Sequence, residues 1–324
     1  MIPRYSCLLA AALLVMLVLP SGVEAQDLTP PGIGPGLFAQ IGLDAYALSM
    51  GGAMVAAPGG PALPYYNPAA LAGANRLSIG GMYSSPYGRD FGVSYQYISI
   101  LGPLGEQTDS SSALGVGLTY MSSQICDIPI WDEEGFKGTA TSQATAYTAS
   151  FGIPLLRDLK VGAALRYYSA RLLEGAGEGF GFDIAILGSA SLGSHDLHFG
   201  ITSLDTGNSI INWTSLSGTT RNVIPWTTRI GLAVVSRGRD IRVAADWDVQ
   251  PMRGLADSAL HAGVEYRLVR FLALRGGIQK SLDAPIQFAA GIGLQIGDTL
   301  SLSYAYQPAR AFKDTHLLVL SVSF

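Results

Sequence analysis

Residues 239–268 read RDIRVAADWDVQPMRGLADSALHAGVEYRL, and the period of this stretch decides the fold. Ile241, Val243, Ala245, Trp247 and Val249 alternate with Arg242, Ala244, Asp246, Asp248 and Gln250. In the next segment, Leu260, Ala262, Val264, Tyr266 and Leu268 alternate with His261, Gly263, Glu265 and Arg267. A period of two sorts such residues onto the two faces of a strand, whereas a helix would spread the polar ones around every side. Each segment runs for roughly ten residues, the length at which a tilted strand crosses a bilayer.

The same pattern recurs outward in both directions. Phe91, Val93, Tyr95 and Tyr97 oppose Gly92, Ser94 and Gln96, while Leu300, Leu302, Tyr304 and Tyr306 oppose Ser301, Ser303, Ala305 and Gln307. Fourteen segments follow from residue 76 onward, starting near 76, 89, 112, 142, 158, 178, 194, 226, 239, 257, 270, 285, 298 and 314. With both ends on the periplasmic side, the longest connections, about 122–141 and 205–225, fall outside. The short ones (Arg237-Gly238-Arg239, Val269, Gly297-Asp298) fall on the periplasmic side, as outer-membrane barrels prefer. Only 101–111 is long where a short turn is expected.

Composition agrees. The chain has 324 residues, 48% hydrophobic and 14% charged, with 40 Gly and a formal net charge of −4. Soluble domains carry about 25% charged residues, so a water-facing surface is poorly supplied here. Only one stretch is apolar enough to suggest a membrane helix. It lies in residues 1–25, where Arg4 precedes an apolar run from Cys7 to Leu19 and Val23-Glu24-Ala25 offers a cleavage site. That reads as a cleaved export signal. Its removal leaves Cys126 as a single thiol, and a mildly acidic chain without the basic footprint of a nucleic-acid binder. The chain closes on Leu318-Val319-Leu320-Ser321-Val322-Ser323-Phe324, which resembles the C-terminal signal read by the outer-membrane barrel-assembly machinery. The expected fold is a 14-stranded antiparallel transmembrane β-barrel over 76–324, in a bacterial outer membrane and surrounded by its lipid.

Residues 26–75 do not alternate. Ile41 to Ala57 is a run of small and mildly apolar residues containing Gly51-Gly52, broken by Pro58-Gly59-Gly60-Pro61. Then comes Tyr65-Tyr66-Asn67-Pro68-Ala69-Ala70-Leu71-Ala72, with Asn67 suited to cap a helix and Pro68 to its first position. These two stretches, His261-Ala262-Gly263-Val264-Glu265-Tyr266, Leu272-Ala273-Leu274-Arg275-Gly276-Gly277 and the terminal Phe324 together resemble the PorV/PorQ family, within the long-chain fatty-acid transporter (FadL-like) superfamily. The resemblance covers nearly the whole mature chain. It implies an N-terminal plug, or hatch, folded into the lumen over 26–75, with Asn67, Pro68 and Ala69 in the plug turn; passage of a solute would make Gly51-Gly52 its flexible point.

If the apolar face of every strand meets lipid, the charges enter the lumen. Lys160, Arg166, Arg229, Arg242, Asp246, Asp248, Glu265, Arg267 and Arg275 take inward positions, and Asp183 joins them. Charges of both signs in a confined space should pair. A network that anchors the plug and fixes strand register therefore comes ahead of a selective polar pathway, which would show one sign. Chemistry finds little support. His195, His198, His261 and His316 lack metal-ligand spacing, Gly32-Ile33-Gly34 sits outside any strand-to-helix turn, and no nucleophile-elbow sequence occurs. Neither a catalytic residue nor a cofactor is expected, so the chain is read as no enzyme. Two functions stay open: passage of a hydrophobic small molecule, or a scaffold for secreted proteins of the type IX kind implied by the resemblance.

Overall fold

The computed structural model describes residues 43–324, except 87–91, 106–113, 216–217, 237, 239, 251–253, 283 and 310–312; for 254–257 only the backbone is described. The export signal and residues 26–42 lie outside the described residues. Among those described, no helix is long and apolar enough to cross a membrane.

Sixteen strands form one sheet. They are β1 (Ser78–Ser84), β2 (Val93–Pro103), β3 (Gly115–Asp132), β4 (Gly135–Leu156), β5 (Leu159–Leu172), β6 (Gly175–Leu192), β7 (His195–Leu204) and β8 (Ser209–Ser215). After these come β9 (Gly218–Ile224), β10 (Thr227–Ser236), β11 (Ile241–Gln250), β12 (Gly254–Val269), β13 (Leu272–Ser281), β14 (Gln287–Ile296), β15 (Leu300–Gln307) and β16 (Thr315–Ser323). Every pairing is antiparallel, and β1 pairs with β16 from Ser78↔Ser323 to Tyr83↔Leu318, which closes the sheet on itself. Closure leaves the wall no free edge to satisfy in lipid.

The sixteen strands trace fourteen lines around the barrel. β6 pairs with β8 from Ala176↔Thr214 to Phe180↔Ile210, and then with β7 from Ile184↔Ser203 to Leu192↔His195. β7 and β8 are thus one line interrupted by a bulge over 205–208. β9 and β10 return along it, broken at Pro225-Trp226. The barrel is a closed, 14-stranded antiparallel one, as the alternation predicts. Both long connections are corrected, however. Residues 122–141 are not a loop: β3 and β4 continue as one hairpin that turns at Glu133-Glu134, because Gln124, Asp127 and Thr139 leave a strand compatible with water on both faces. Residues 205–225 likewise hold the β8–β9 hairpin.

The outward faces are apolar. Leu118, Leu165, Leu232, Val243, Leu260 and Val264 all stand exposed on the exterior, where lipid would cover them. Strand β2 reverses the expected assignment. Val93, Tyr95 and Tyr97 are buried inside, while Gln96, Ile98 and Ile100 face out. The reason is that the lumen is not empty.

Residues 43–75 lie within the barrel. They form a short helix α1 (Ala45–Ser49), a second α2 (Leu63–Tyr66) and a 3₁₀ turn (Pro68–Gly73). Their hydrophobic side chains share one buried core with Met82, Val93, Tyr95, Tyr97, Met121, Leu317 and Val319 of the wall. Tyr97 points inward because this segment gives its ring an apolar neighbour and its hydroxyl the carbonyl of Pro61, at 3.2 Å. Glycines on the inner wall make the space. A Cβ on Gly80, Gly115, Gly152, Gly162, Gly200, Gly263 or Gly277 would collide with this segment.

Candidate functional site in the lumen

The site is the seam between residues 43–75 and the inner wall. Asp44 caps α1 by accepting from the backbone N–H of Tyr46 at 2.9 Å, and its other oxygen accepts from Ala62 N–H at 3.3 Å. One carboxylate therefore ties the first turn of the segment to the loop that precedes α2. Asp44 is buried, which pushes its carboxyl up to about 6, although both backbone N–H groups and the nearby Arg275 charge pull the other way.

At the other end, Asn67 is wholly buried and uses its whole amide. Its Oδ1 accepts from Ala69 N–H at 3.0 Å, which starts the 3₁₀ turn with Pro68 in the first position, where a missing N–H is harmless. Its Nδ2 donates to Val55 O at 2.8 Å and to Ile186 O of β6 at 3.1 Å. The Asn-Pro-Ala turn thus fastens to the wall and to the rest of the segment at once. Ala69 packs so closely on β5 that Gly162 has no room for a Cβ.

Gly51 and Gly52 both take positive φ, +66° and +91°. A Cβ on Gly51 would meet the backbone of Ile278 and Ala262, and one on Gly52 would meet the His261 ring. Glycine is required here by left-handed geometry and close approach to β12 and β13, so the pair is wedged against the wall.

Most of the charges expected inside gather around this segment in three groups. In the first, Arg166 of β5 pairs with Asp183 of β6 at 2.5 Å and with Asp205 at 3.4 Å. Tyr168 donates to Asp205 at 2.8 Å and accepts from Arg166 at 2.9 Å. Asp205 reaches the lumen because it starts the bulge between β7 and β8; bulges re-aim side chains in this way. In the second, Arg229 of β10 pairs with Asp248 of β11 at 3.0 Å. Beside it, Asp246 accepts the backbone N–H groups of Met54 and Val55 at 2.6 and 2.8 Å. In the third, Arg275 of β13 pairs with Glu265 of β12 at 2.7 Å, and Arg242 donates to the Tyr46 hydroxyl.

The segment answers these arginines with tyrosines. The Arg275 guanidinium lies 4.1 Å from the Tyr46 ring centroid, and those of Arg166 and Arg229 lie 5.4 and 5.9 Å from Tyr65. Burial pushes the phenols of Tyr46, Tyr65 and Tyr66 up, so they stay neutral and present their rings as cation–π partners. Charges of both signs, each with a partner, act as fasteners in this seam.

Two expected members stand apart. Lys160 sits by Gly73 at the end of the 3₁₀ turn, away from the arginine groups. Arg267 is exposed near the β12–β13 turn. Asp205, His261, Asp44 and the three tyrosines complete the seam but were not among the expected residues. His261 was legible, since it shares the inward parity of Glu265; Asp205 was not, because it falls where the alternation breaks. Trp226 donates from Nε1 to Ser203 Oγ at 2.6 Å, while an exterior row joins Tyr120, Tyr147, Tyr167 and Phe180 across β3 to β6. No grouping of three or more His, Cys, Asp or Glu that could hold a metal occurs among the described residues.

The sequence matches no protein-family model and no curated protein. Solved structures of similar shape do exist. The toluene transporter TodX of Pseudomonas putida superposes with a TM-score of 0.60 at 13% identity, covering 87% of this chain and 98% of that one. A deletion mutant of TodX, described as a monoaromatic hydrocarbon channel, gives 0.58 at 14% identity, covering 90% and 99%. The toluene transporter TbuX of Ralstonia pickettii gives 0.50 at 14% identity, covering 90% and 98%. The likeness is one of fold: along almost their whole length, these transporters and this chain share a barrel architecture.

Proposed function

We propose that this chain is an outer-membrane barrel for the passage of a hydrophobic small molecule, with residues 43–75 acting as the hatch that closes it. The observation that carries this reading is a segment packed inside the lumen whose hydrogen bonds to the wall, among the described residues, each use a side chain on one side or the other. It adds no strand to the sheet, so it can shift while the wall stays closed. Around it, the charges are paired and of both signs, which suits neither a cation nor an anion pore. The wall of β1 to β3 instead turns Met82, Val93, Tyr95, Tyr97 and Met121 inward, a lining compatible with an apolar solute. The fold-level likeness to two toluene transporters supports the same class, by analogy of architecture. On this reading the end of the barrel that carries both β1's start and β16's end faces the periplasm, and the β3–β4 hairpin faces outward.

The test is uptake by cells of an outer-membrane host that lacks its own hydrocarbon transporters. Radiolabelled toluene and oleate serve as probes, with a disaccharide as control. Faster entry of either hydrophobic probe, with unchanged entry of the disaccharide, is the expected result. Unchanged entry of both, in cells whose barrel migrates differently on a gel before and after boiling, would sink the proposal. Recovery of secretion components by crosslinking in those same cells would then favour the scaffold reading.

A further inference from the structure

His261 points into the lumen from β12 and touches the hatch at the Gly51–Gly52 turn. Its Nδ1 lies 2.6 Å from the carbonyl oxygen of Gly51, and its Nε2 lies 3.4 Å from Asp248 Oδ2. Both of these oxygens can only accept. A neutral imidazole has one N–H and one lone pair, so one nitrogen would face an acceptor with no proton to offer. The imidazolium alone presents a proton to both: Nδ1 hydrogen-bonds the Gly51 carbonyl, and Nε2 meets the Asp248 carboxylate at ion-pair range, without hydrogen-bond geometry.

The surrounding charge points the same way. Facing His261 are Arg229 from β10, Asp246 and Asp248 from β11, and Gln279 opposite it on β13. The hatch contributes the Gly51 carbonyl, and Tyr66 and Tyr65 contact Arg229 through their rings. Glu265, farther along β12, is taken up by Arg275. Asp248 lies between Arg229 at 3.0 Å and His261 at 3.4 Å, so a proton on His261 gives that carboxylate a second cation in a setting where a neutral lone pair would repel it.

We propose that His261 is held as an imidazolium that latches the Gly51–Gly52 turn to the wall, and that loss of its proton releases this turn. The catch concerns how the hatch is held and stands whatever solute the barrel passes. The sign is fixed by the chemistry: the latch is closed on the acid side and weakens as pH rises and the imidazolium deprotonates. Asp246, beside it, keeps its grip on Met54 and Val55, so release begins at the glycine pair.

Hydrogen exchange on the detergent-solubilised full chain tests this, with rates at residues 50–57 corrected for intrinsic pH dependence. Wild type should exchange at least tenfold faster at pH 8.5 than at pH 6, while His261→Gln should show no change across that range. An equal rise in His261→Gln, or no rise in wild type, would overturn the latch. Should His261→Gln fail to fold, nitrogen NMR of the ring decides instead, in a chain whose other histidines, His195, His198 and His316, are replaced by Gln. Two protonated ring nitrogens at pH 6 support the proposal, and a single-proton tautomer at that pH refutes it.

Discussion

Arg275 lies over the Tyr46 ring, with its guanidinium carbon 4.1 Å from the ring centroid and its Nε 2.7 Å from Glu265. It is thus held by the wall through Glu265 and contacts the segment 43–75 through Tyr46. Even the space for it is prepared, because a Cβ on Gly293 would strike the guanidinium. This one stack links strand register, ion pairing and hatch position. A double-mutant cycle between Tyr46→Leu and Arg275→Lys should show a coupling of about 1 kcal/mol in the exchange protection of α1, within the range for partly desolvated cation–π contacts. Strict additivity would mean that the stack is incidental.

Asn67 makes a sharper case. Replacing it with Ala leaves the carbonyls of Val55 and Ile186 and the Ala69 N–H without their partner, and each buried polar group so stranded costs about 1–3 kcal/mol. Asn67→Asp should be worse, since a carboxylate would then face two carbonyl oxygens. Limited proteolysis within 55–75 measures this, and the expected order of susceptibility is Asp, then Ala, then wild type.

The pH dependence of Asp44 has a definite sign. Its carboxyl titrates at about 6 in the folded chain against 3.8 when free, so burial favours the neutral form. The stabilisation this provides is complete below about pH 4 and disappears as pH rises through about 6. Over that window the hatch of wild type should loosen by up to roughly 3 kcal/mol relative to Asp44→Asn, as two units at about 1.4 kcal/mol each would give. Thermal release of the hatch, followed at pH 4, 5, 6 and 7, reads the difference in slope; parallel profiles would count against it.

Wall glycines divide into two kinds. At Gly200 a Cβ would collide with Val55, whereas at Gly276 nothing lies within 4 Å. Gly200→Val should therefore cost about 1–3 kcal/mol of hatch docking by overpacking and raise ion conductance in planar bilayers. Gly276→Val should do neither. Equal behaviour of the two variants would show that the hatch does not depend on this fit.

Much of this was legible in the chain. Alternation in 239–268 placed Arg242, Asp246, Asp248, His261 and Glu265 on one face, and the structure turns that face inward. The number of strand lines followed from counting such segments. The breaks were harder to read. Asp205 acts through a bulge, and nothing in Leu204-Asp205-Thr206-Gly207-Asn208 separates a bulge from an ordinary loop. Glycines on the inner wall also read as weak strand formers until their neighbours are known.

By itself, then, the sequence determined that there are two faces and which residues share each of them, because a strand's side chains alternate whatever lies around it. Which face meets the lumen was decided by tertiary structure. On β11 and β12 the choice follows from charge, since lipid would reject Asp246 and Glu265. On β2, the inward turn of Tyr95 and Tyr97 depends on the apolar segment 43–75 lying opposite. A face is apolar by composition, but it is inside or outside only by what it touches.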